Sequence, residues 1–121
     1  MKLQKILIRL QKLHPKEIDL SLNRVKSLCK KLGNPQEKLK CISIVGTNGK
    51  YSTIQAIRAI LKEANINVNI YTSPHIQKIN ERFIYNDKEI SDDNLAKLLS
   101  EVEKKNAGEP ITYFEILTAA Y

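Results

Sequence analysis

A glycine-containing loop between a predicted strand and a predicted helix constrains the fold of this chain most. Apolar and β-branched residues fill 41–45, the loop Gly-Thr-Asn-Gly-Lys follows at 46–50, and apolar residues recur at helical spacing from Ser52 onward. Residues 67–72 then predict a second strand. Strand-helix-strand units of this kind typically form a right-handed parallel crossover, so the sequence predicts an α/β fold with a parallel sheet. Ligands of such sheets bind at the carboxyl ends of the strands, where this loop lies.

The composition of the loop favours phosphate binding. Gly46 and Gly49 let backbone N–H groups approach phosphate oxygens, the start of the next helix adds a partial positive charge, and Lys50 adds a full one. The strict Walker pattern is not met, because Ile44 takes the place of its first glycine and Tyr51 follows the lysine. A plain glycine turn with an exposed lysine therefore stays an alternative interpretation.

Helices are predicted on both sides of this unit. Apolar residues at helical spacing occupy 3–13 and 22–28, and Gly33 before Asn-Pro ends the second of these helices. Residues 82–90 predict a β-hairpin with Asn-Asp at its turn. Ser91 predicts the N-cap of a helix through residue 105, with aspartates at its start and lysines at its end. Residues 112–121 predict a buried helix.

Composition and charge exclude several classes of protein. No apolar run approaches the roughly 20 residues needed to cross a bilayer, and no signal-like segment opens the chain, so we expect a cytoplasmic protein without membrane contact. Cys29 and Cys41 are too far apart for a C-x-x-C redox pair, and two histidines are too few for a zinc site. A net charge of +7 raises nucleic-acid binding as an alternative. The lysines are scattered along helical positions, which favours a solvated face instead.

Four segments carry a resemblance to a known family. In chain order they are residues 18–25 (Ile-Asp-Leu-Ser-Leu-Asn-Arg-Val), the loop at 46–50, residues 71–82 (Tyr-Thr-Ser-Pro-His, then Asn-Glu-Arg) and residues 112–115 (Thr-Tyr-Phe-Glu). Together they resemble the N-terminal part of the dihydrofolate synthase/folylpolyglutamate synthase branch of the Mur ligase superfamily. The resemblance implies a partial P-loop parallel sheet with flanking helices, like the central domain of Mur ligases.

The same resemblance implies how the chain is organised. Residues 1–121 would form the N-terminal part of the ATP-binding domain, with 1–40 as a helical lead-in. Residues 41–121 would supply the phosphate-loop unit, the hairpin and further helices. Family members continue into a glycine-rich metal segment and a C-terminal domain, so we expect these 121 residues to be inactive by themselves.

The resemblance also implies a set of site residues. The residues implied for ATP, with Lys50 as the catalytic one, are Gly46, Thr47, Asn48, Gly49, Lys50, Tyr51 and Ser52. The residues implied for Mg²⁺ are Ser73 and, as a second candidate, Ser52. The residues implied for the pterin or folate are Asp19, Leu20, Ser21, Leu22, Thr112, Tyr113, Phe114 and Glu115. An aromatic ring at 113 or 114 would offer the pterin a flat face.

Each of these roles has an ordinary structural alternative. Ser73 with its proline could simply end a strand, His75 could be a hydrogen-bonded surface residue, and Phe114 could belong to a helix core. Tyr51 and Val45 also depart from the family, which usually carries small residues at both positions. A bulky ring at 51 would lie beside the phosphates unless it points outward.

The activity that the resemblance implies is ATP-dependent ligation. ATP would phosphorylate a carboxylate of dihydropteroate or folate, and the amine of L-glutamate would attack the acyl phosphate. Partners would be small molecules only, and the full-length enzyme would be a monomer. The alternatives are another P-loop ligase or kinase, such as a Mur-type amino-acid ligase, and a basic nucleic-acid-binding module.

Overall fold

A computed structural model describes residues 2–121 of the chain. The helices are α1 (Lys2–Gln11), α2 (Asn23–Lys31), α3 (Lys50–Glu63), α4 (Asp92–Asn106) and α5 (Tyr113–Ala120). The strands are β1 (Ile70–Tyr71), β2 (Phe83–Tyr85) and β3 (Lys88–Glu89), and short 3₁₀ helices span Pro35–Lys38 and Ile79–Arg82. The predicted α/β class is confirmed. The chain forms two compact units, residues 2–38 with 90–121 (unit 1) and residues 39–89 (unit 2).

Unit 1 is a helical core built from α1, α2, α4 and α5. Helix α1 packs on α4, and α5 packs on both α2 and α4. Each helix turns one apolar stripe inward, as its spacing predicts. Burial of each large aliphatic side chain in such a core stabilises it by roughly 1.5–3 kcal/mol. The buried apolar residues of this unit are Ile6, Leu7, Leu10, Leu28, Leu95, Ala96, Leu99, Val102, Ile111, Ile116, Leu117 and Ala120.

The ends of the unit 1 helices follow the residues that the sequence offers. Helix α2 stops before Gly33, whose φ of 86° lies in the left-handed region that glycine adopts without strain. The Ser91 hydroxyl accepts a hydrogen bond from the Asn94 N–H at 3.3 Å and caps α4. Thr112 caps α5 in a capping box with Glu115. The predicted boundaries of these helices are therefore confirmed to within a residue or two.

Unit 2 contains a small antiparallel sheet in the order β1-β2-β3. Its hairpin is confirmed, because β2 pairs with β3 and the turn residues Asn86 and Asp87 have φ values of 49° and 67°. Phe83 is fully buried, and the Tyr71 ring packs edge-on against it with 5.6 Å between ring centroids. This aromatic pair forms the centre of a small apolar core in unit 2.

The predicted parallel sheet is not formed within residues 2–121. Residues 41–45 have no strand partner there and are mostly exposed, with Val45 at 91%. Strand β1, predicted as their parallel neighbour, pairs antiparallel with β2 instead. The N–H and C=O groups of a strand need hydrogen-bond partners on a neighbouring strand. For β1 these partners are on β2, the first strand of the hairpin. Helix α3 likewise has no buried residue, and its Ile60 is 68% exposed.

Candidate functional site

The glycine loop joins the extended segment 41–45 to α3. Gly46 has a φ of 151° and Gly49 a φ of 76°, values that residues with a Cβ rarely adopt. The chain can therefore turn directly into α3, which starts at Lys50. The Lys50 ammonium donates a hydrogen bond back to the Gly46 carbonyl, and the Thr53 hydroxyl donates to the Gly49 carbonyl at 2.8 Å. The lysine charge is thus held at the loop itself.

The N-terminus of α3 is open to an anion. No side chain caps it within residues 2–121, and its first turn contains no acidic residue. The backbone N–H groups of a first helical turn have no partner in the helix, and they carry the positive end of its dipole. Thr47, Asn48 and Ser52 are exposed around it. Tyr51 is 71% exposed, and its ring lies in solvent. This is the outward orientation that keeps a bulky ring at position 51 away from the loop.

Ser73 lies in a second exposed loop of unit 2, two residues after the end of β1, and is joined to Pro74 by a cis peptide bond. The Glu81 carboxylate holds this loop, because it accepts hydrogen bonds from the N–H groups of three consecutive residues. These bonds measure 2.9 Å from Ile76, 2.8 Å from Gln77 and 2.8 Å from Lys78. They lower the pKa of Glu81 by favouring its charged form.

His75 lies in the same loop and has a protein partner. The Arg82 Nε–H donates to His75 Nδ1 at 2.9 Å. The imidazole is therefore a hydrogen-bonded surface group, which is the structural alternative that the sequence left open. Since Nδ1 accepts a hydrogen bond, a neutral ring carries its proton on Nε2.

We expect the order of this loop to depend on pH through Glu81. A lowered pKa means that the folded carboxylate binds its proton more weakly than the unfolded one, so its stabilising effect is lost as pH falls below the ordinary value of 4.5. The amide signals of residues 76–78 in NMR spectra should then shift upfield, and the protection of these amides relative to their intrinsic exchange rate at each pH should fall.

The variant Glu81→Gln should remove that pH dependence, because its amide oxygen still accepts hydrogen bonds but does not titrate. Glu101→Gln, on an exposed position of α4, is the matched control and should leave the titration of the loop amides intact. A loop whose amides ignore pH in the unmodified protein would contradict the assigned role of Glu81.

In unit 1, one arginine connects two of the segments singled out by the sequence. The Arg24 guanidinium donates to both Glu115 carboxylate oxygens, at 2.9 and 3.0 Å. It also donates to the Asp19 carbonyl at 2.5 Å and to the Asp19 carboxylate at 3.3 Å. His14 Nε2 lies 3.3 Å from the same Asp19 carboxylate. Segments 19–22 and 112–115 are thereby joined.

Within this cluster the ion-paired side chains of Arg24 and Glu115 are mostly buried, whereas the apolar residues beside them are exposed. Burial raises the pKa of Glu115, but hydrogen bonds from Arg24 and from the Thr112 backbone outweigh it and lower the pKa overall. The apolar neighbours of the ion-paired residues are open to solvent, with Leu20 at 93% and Phe114 at 49% exposure. Phe114 is therefore not part of the helix core that the sequence offered as its alternative role.

Sequence reasoning assigned no role to Arg24, Glu81 or Arg82. The arginines carried a signal, because the chain contains four of them against sixteen lysines. In a lysine-rich chain, an arginine marks a place where the planar, multidentate guanidinium is needed. Three of the four make multidentate contacts, namely Arg9 with Glu103, Arg24 with Glu115 and Arg58 with Asp87. The Nε–H of Arg82 donates to His75.

Comparison with curated proteins shows extensive similarity to one enzyme family, although no protein-family model matches the chain. The chain is 39% identical over 105 residues to the dihydrofolate synthase/folylpolyglutamate synthase of Bacillus subtilis, covering 81% of this chain and 24% of that protein. It is 40% identical over 91 residues to the folylpolyglutamate synthase of Candida albicans, covering 72% of this chain and 18% of that protein. The chain thus spans about a quarter or less of these relatives.

Solved structures agree with the sequence comparison. The fold matches folylpolyglutamate synthetase from Lactobacillus casei with a TM-score of 0.87 and 30% identity, over 99% of this chain and 32% of that one. It matches the bifunctional synthase from Yersinia pestis, complexed with AMPPNP and a Mn ion, with a TM-score of 0.86 and 32% identity, over 98% and 29%. It matches Escherichia coli FolC in complex with DHPP and ADP with a TM-score of 0.85 and 33% identity, over 98% of this chain and 28% of that one.

None of the helices within residues 2–121 has the length and apolar character that crossing a membrane requires. The four ordered sequence segments, the sequence identities and the shared fold all point to the same group of proteins. The chain belongs to the dihydrofolate synthase/folylpolyglutamate synthase family, of whose members it spans about a quarter.

Proposed function

We propose that this chain supplies the phosphate-binding loop and part of the folate site of an ATP-dependent ligase. That ligase adds L-glutamate to dihydropteroate, to folate or to both through an acyl phosphate. The observation that carries the proposal is the geometry of residues 46–52. Two glycines with positive φ, an ammonium held at the loop and an uncapped helix start meet at one place. Such a place stabilises a polyphosphate.

For the nucleotide, the proposal assigns complementary roles to the loop. The backbone N–H groups of 46–52 would bind phosphate oxygens, and Lys50 would exchange the Gly46 carbonyl for the β- and γ-phosphates. Tyr51 would contribute its N–H only, since its ring lies in solvent. Together they would offset charge on the transferring phosphoryl group, which is the main catalytic need of such reactions.

The residues proposed for Mg²⁺ fit that ion chemically. The hydroxyl oxygens of Ser73 and Ser52 are hard donors of the type that Mg²⁺ takes, and both side chains are exposed. Bound Mg²⁺ would neutralise charge on the phosphates of ATP. Glu81 contributes by fixing the backbone of the loop that carries Ser73.

For the folate, segments 19–22 and 112–115 of unit 1 are proposed to flank the pterin. The exposed side chains of Leu20, Leu22 and Phe114 suit a flat heteroaromatic ring, because such rings gain most from contact with apolar and aromatic faces. Both Glu115 oxygens already accept hydrogen bonds within the protein, so we assign this carboxylate an indirect part in binding.

The proposal includes three expectations about the whole enzyme. Residues 1–121 would form the N-terminal part of its ATP-binding domain, the enzyme would be cytoplasmic, and at full length it would act as a monomer. Related structures that contain ADP, an ATP analogue, DHPP or L-glutamate support a small-molecule reaction of this type.

A chimera tests the proposed function. In this chimera, the 81% of the chain that aligns with the Bacillus subtilis synthase would replace the matching segment of that enzyme. The two segments are 39% identical. We expect ADP release and incorporation of labelled glutamate that both depend on dihydropteroate or a folate. A chimera with native circular dichroism that incorporates no glutamate, or that responds to a UDP-linked amino-acid acceptor instead, would refute the proposal.

A further inference from the structure

We infer that Arg24 is a positioning residue of the folate site, which holds the two folate-flanking segments of unit 1 in one arrangement. The inference rests on the proposed function, because it requires that segments 19–22 and 112–115 flank the folate. Arg24 lies within the 18–25 segment that carries the resemblance, but the sequence analysis gave it no role in that site.

The contacts of Arg24 show that it links two segments far apart in sequence. Its Nε and Nη2 atoms bind the two oxygens of Glu115, 91 residues away, at 2.9 and 3.0 Å. Its Nη2 and Nη1 atoms also bind the carbonyl and carboxylate of Asp19. All three guanidinium nitrogens are used on protein acceptors. Arg24 would therefore act through its neighbours and not by touching the ligand.

The setting of this contact makes it stronger than an ordinary surface ion pair. The side chain of Arg24 is 19% exposed and that of Glu115 only 11%. Bidentate, partly desolvated guanidinium-carboxylate pairs are geometrically rigid, whereas exposed ion pairs contribute little. Glu115 in turn accepts the Thr112 N–H at 2.9 Å. The whole segment 112–115 is thereby tied to the guanidinium.

The positions of the apolar side chains connect this rigidity to binding. Leu20 directly follows Asp19, and Phe114 directly precedes Glu115, so each ligand-facing candidate is one residue from an atom that Arg24 binds. The backbone one peptide unit from a fixed anchor has little freedom to shift, so the Cα positions of Leu20 and Phe114 are restrained. Arg24 would therefore set the separation between the apolar side chains on the two segments.

The structure offers a matched control for a purely structural role. Arg9 makes a similar two-bond contact with Glu103, at 2.8 and 2.7 Å, and this pair joins α1 to α4 in the same unit. Neither residue belongs to a proposed folate segment. The Arg9 side chain is 54% exposed, so loss of Arg9 reports what it costs unit 1 to lose a more exposed bidentate pair, without touching the folate site.

The test measures ligand binding by the 121-residue chain and its variants. Dihydropteroate binding would be followed by its fluorescence and by NMR, and binding of ATP with Mg²⁺ would be followed in parallel. We expect Arg24→Ala to weaken dihydropteroate binding by about 10-fold or more, since an unpaired carboxylate lets the segments separate. Arg9→Ala should change it by less than about 2-fold. Neither variant should alter nucleotide binding.

A second variant keeps the test decisive if Arg24→Ala unfolds. Arg24→Lys keeps the charge and most of the packing but cannot make the bidentate contact, so it should also weaken dihydropteroate binding while circular dichroism stays native. Equal weakening by the Arg9 and Arg24 variants, or none by Arg24→Lys and Arg24→Ala, would overturn the inference.

The outcomes for the unmodified chain separate this inference from the proposed function. A chain that binds the nucleotide but no dihydropteroate would refute the folate segments, and the role of Arg24 would fall with them. A chain that binds dihydropteroate in an Arg24-dependent manner, but no nucleotide, would refute the phosphate loop and leave the inference standing.

Discussion

Replacing Lys50 by alanine in the Bacillus subtilis chimera will lower kcat/KM for ATP in the glutamate-adding reaction by at least about 100-fold. The reason is that one fixed charge at the transferring phosphoryl group is lost. Lys50 contributes the full charge of the loop, since residues 46–53 contain no other charged side chain. The Gly46 carbonyl that now accepts its hydrogen bond is exposed and can turn to water. The folded state should therefore be little affected. Initial rates of ADP release, measured with saturating dihydropteroate and glutamate, report this change.

Lys62→Ala is the control for this experiment. Lys62 lies in the last turn of the same helix and makes an exposed ion pair with Asp87 at 2.8 Å. Such a pair contributes about 1 kcal/mol or less, so the rate should stay within about 2-fold of the unmodified chimera. Near-normal turnover by the Lys50 variant, or an equal loss in both variants, would remove the catalytic role assigned to the loop lysine.

Phe83→Ala will destabilise unit 2 by about 3–5 kcal/mol, the range measured for the loss of a fully buried aromatic side chain. The effect is large because Phe83 has no exposed surface and the core around it is small. Its removal also takes away the edge-on partner of Tyr71. Hydrogen exchange followed by mass spectrometry should show rapid exchange throughout β1, β2 and β3.

Two comparisons make this experiment specific. Phe83→Leu retains most of the buried volume and should cost about 1.5 kcal/mol or less. Exchange in α4 and α5 of unit 1 should change little in either variant, because these helices pack on α1, on α2 and on each other. Protection of the strands that survives Phe83→Ala would show that their stability does not depend on this side chain.

Features determined by neighbouring residues could be predicted from the sequence. The end of α2 at Gly33 needs only a residue that tolerates a positive φ, and the cap of α4 needs only the Ser91 hydroxyl. The hairpin turn likewise depends on Asn86 and Asp87 themselves. The local geometry of the glycine loop at 46–50 is of the same type, since its glycines, its lysine and the helix that follows are contiguous in the chain.

Features that depend on distant partners could not be predicted in this way. Residues 41–45 have the composition of a buried strand, but composition does not supply the neighbouring strand that pairing requires. The pairing of Arg24 with Glu115 spans 91 residues, and neither residue carries a local signal that identifies the other. The same limit applies to β1, whose antiparallel partner is set by where the hairpin folds back.

The division of unit 1 into two stretches of sequence bears on how the chain folds during translation. Helices α1 and α2 leave the ribosome before residues 39–89, whereas their partners α4 and α5 come after them. Translation proceeds at roughly 5–20 residues per second, so the apolar stripes of the first two helices stay exposed for several seconds before α4 and α5 can pack on them. This interval favours engagement by a ribosome-associated chaperone, and slower translation of the intervening stretch would lengthen the exposure.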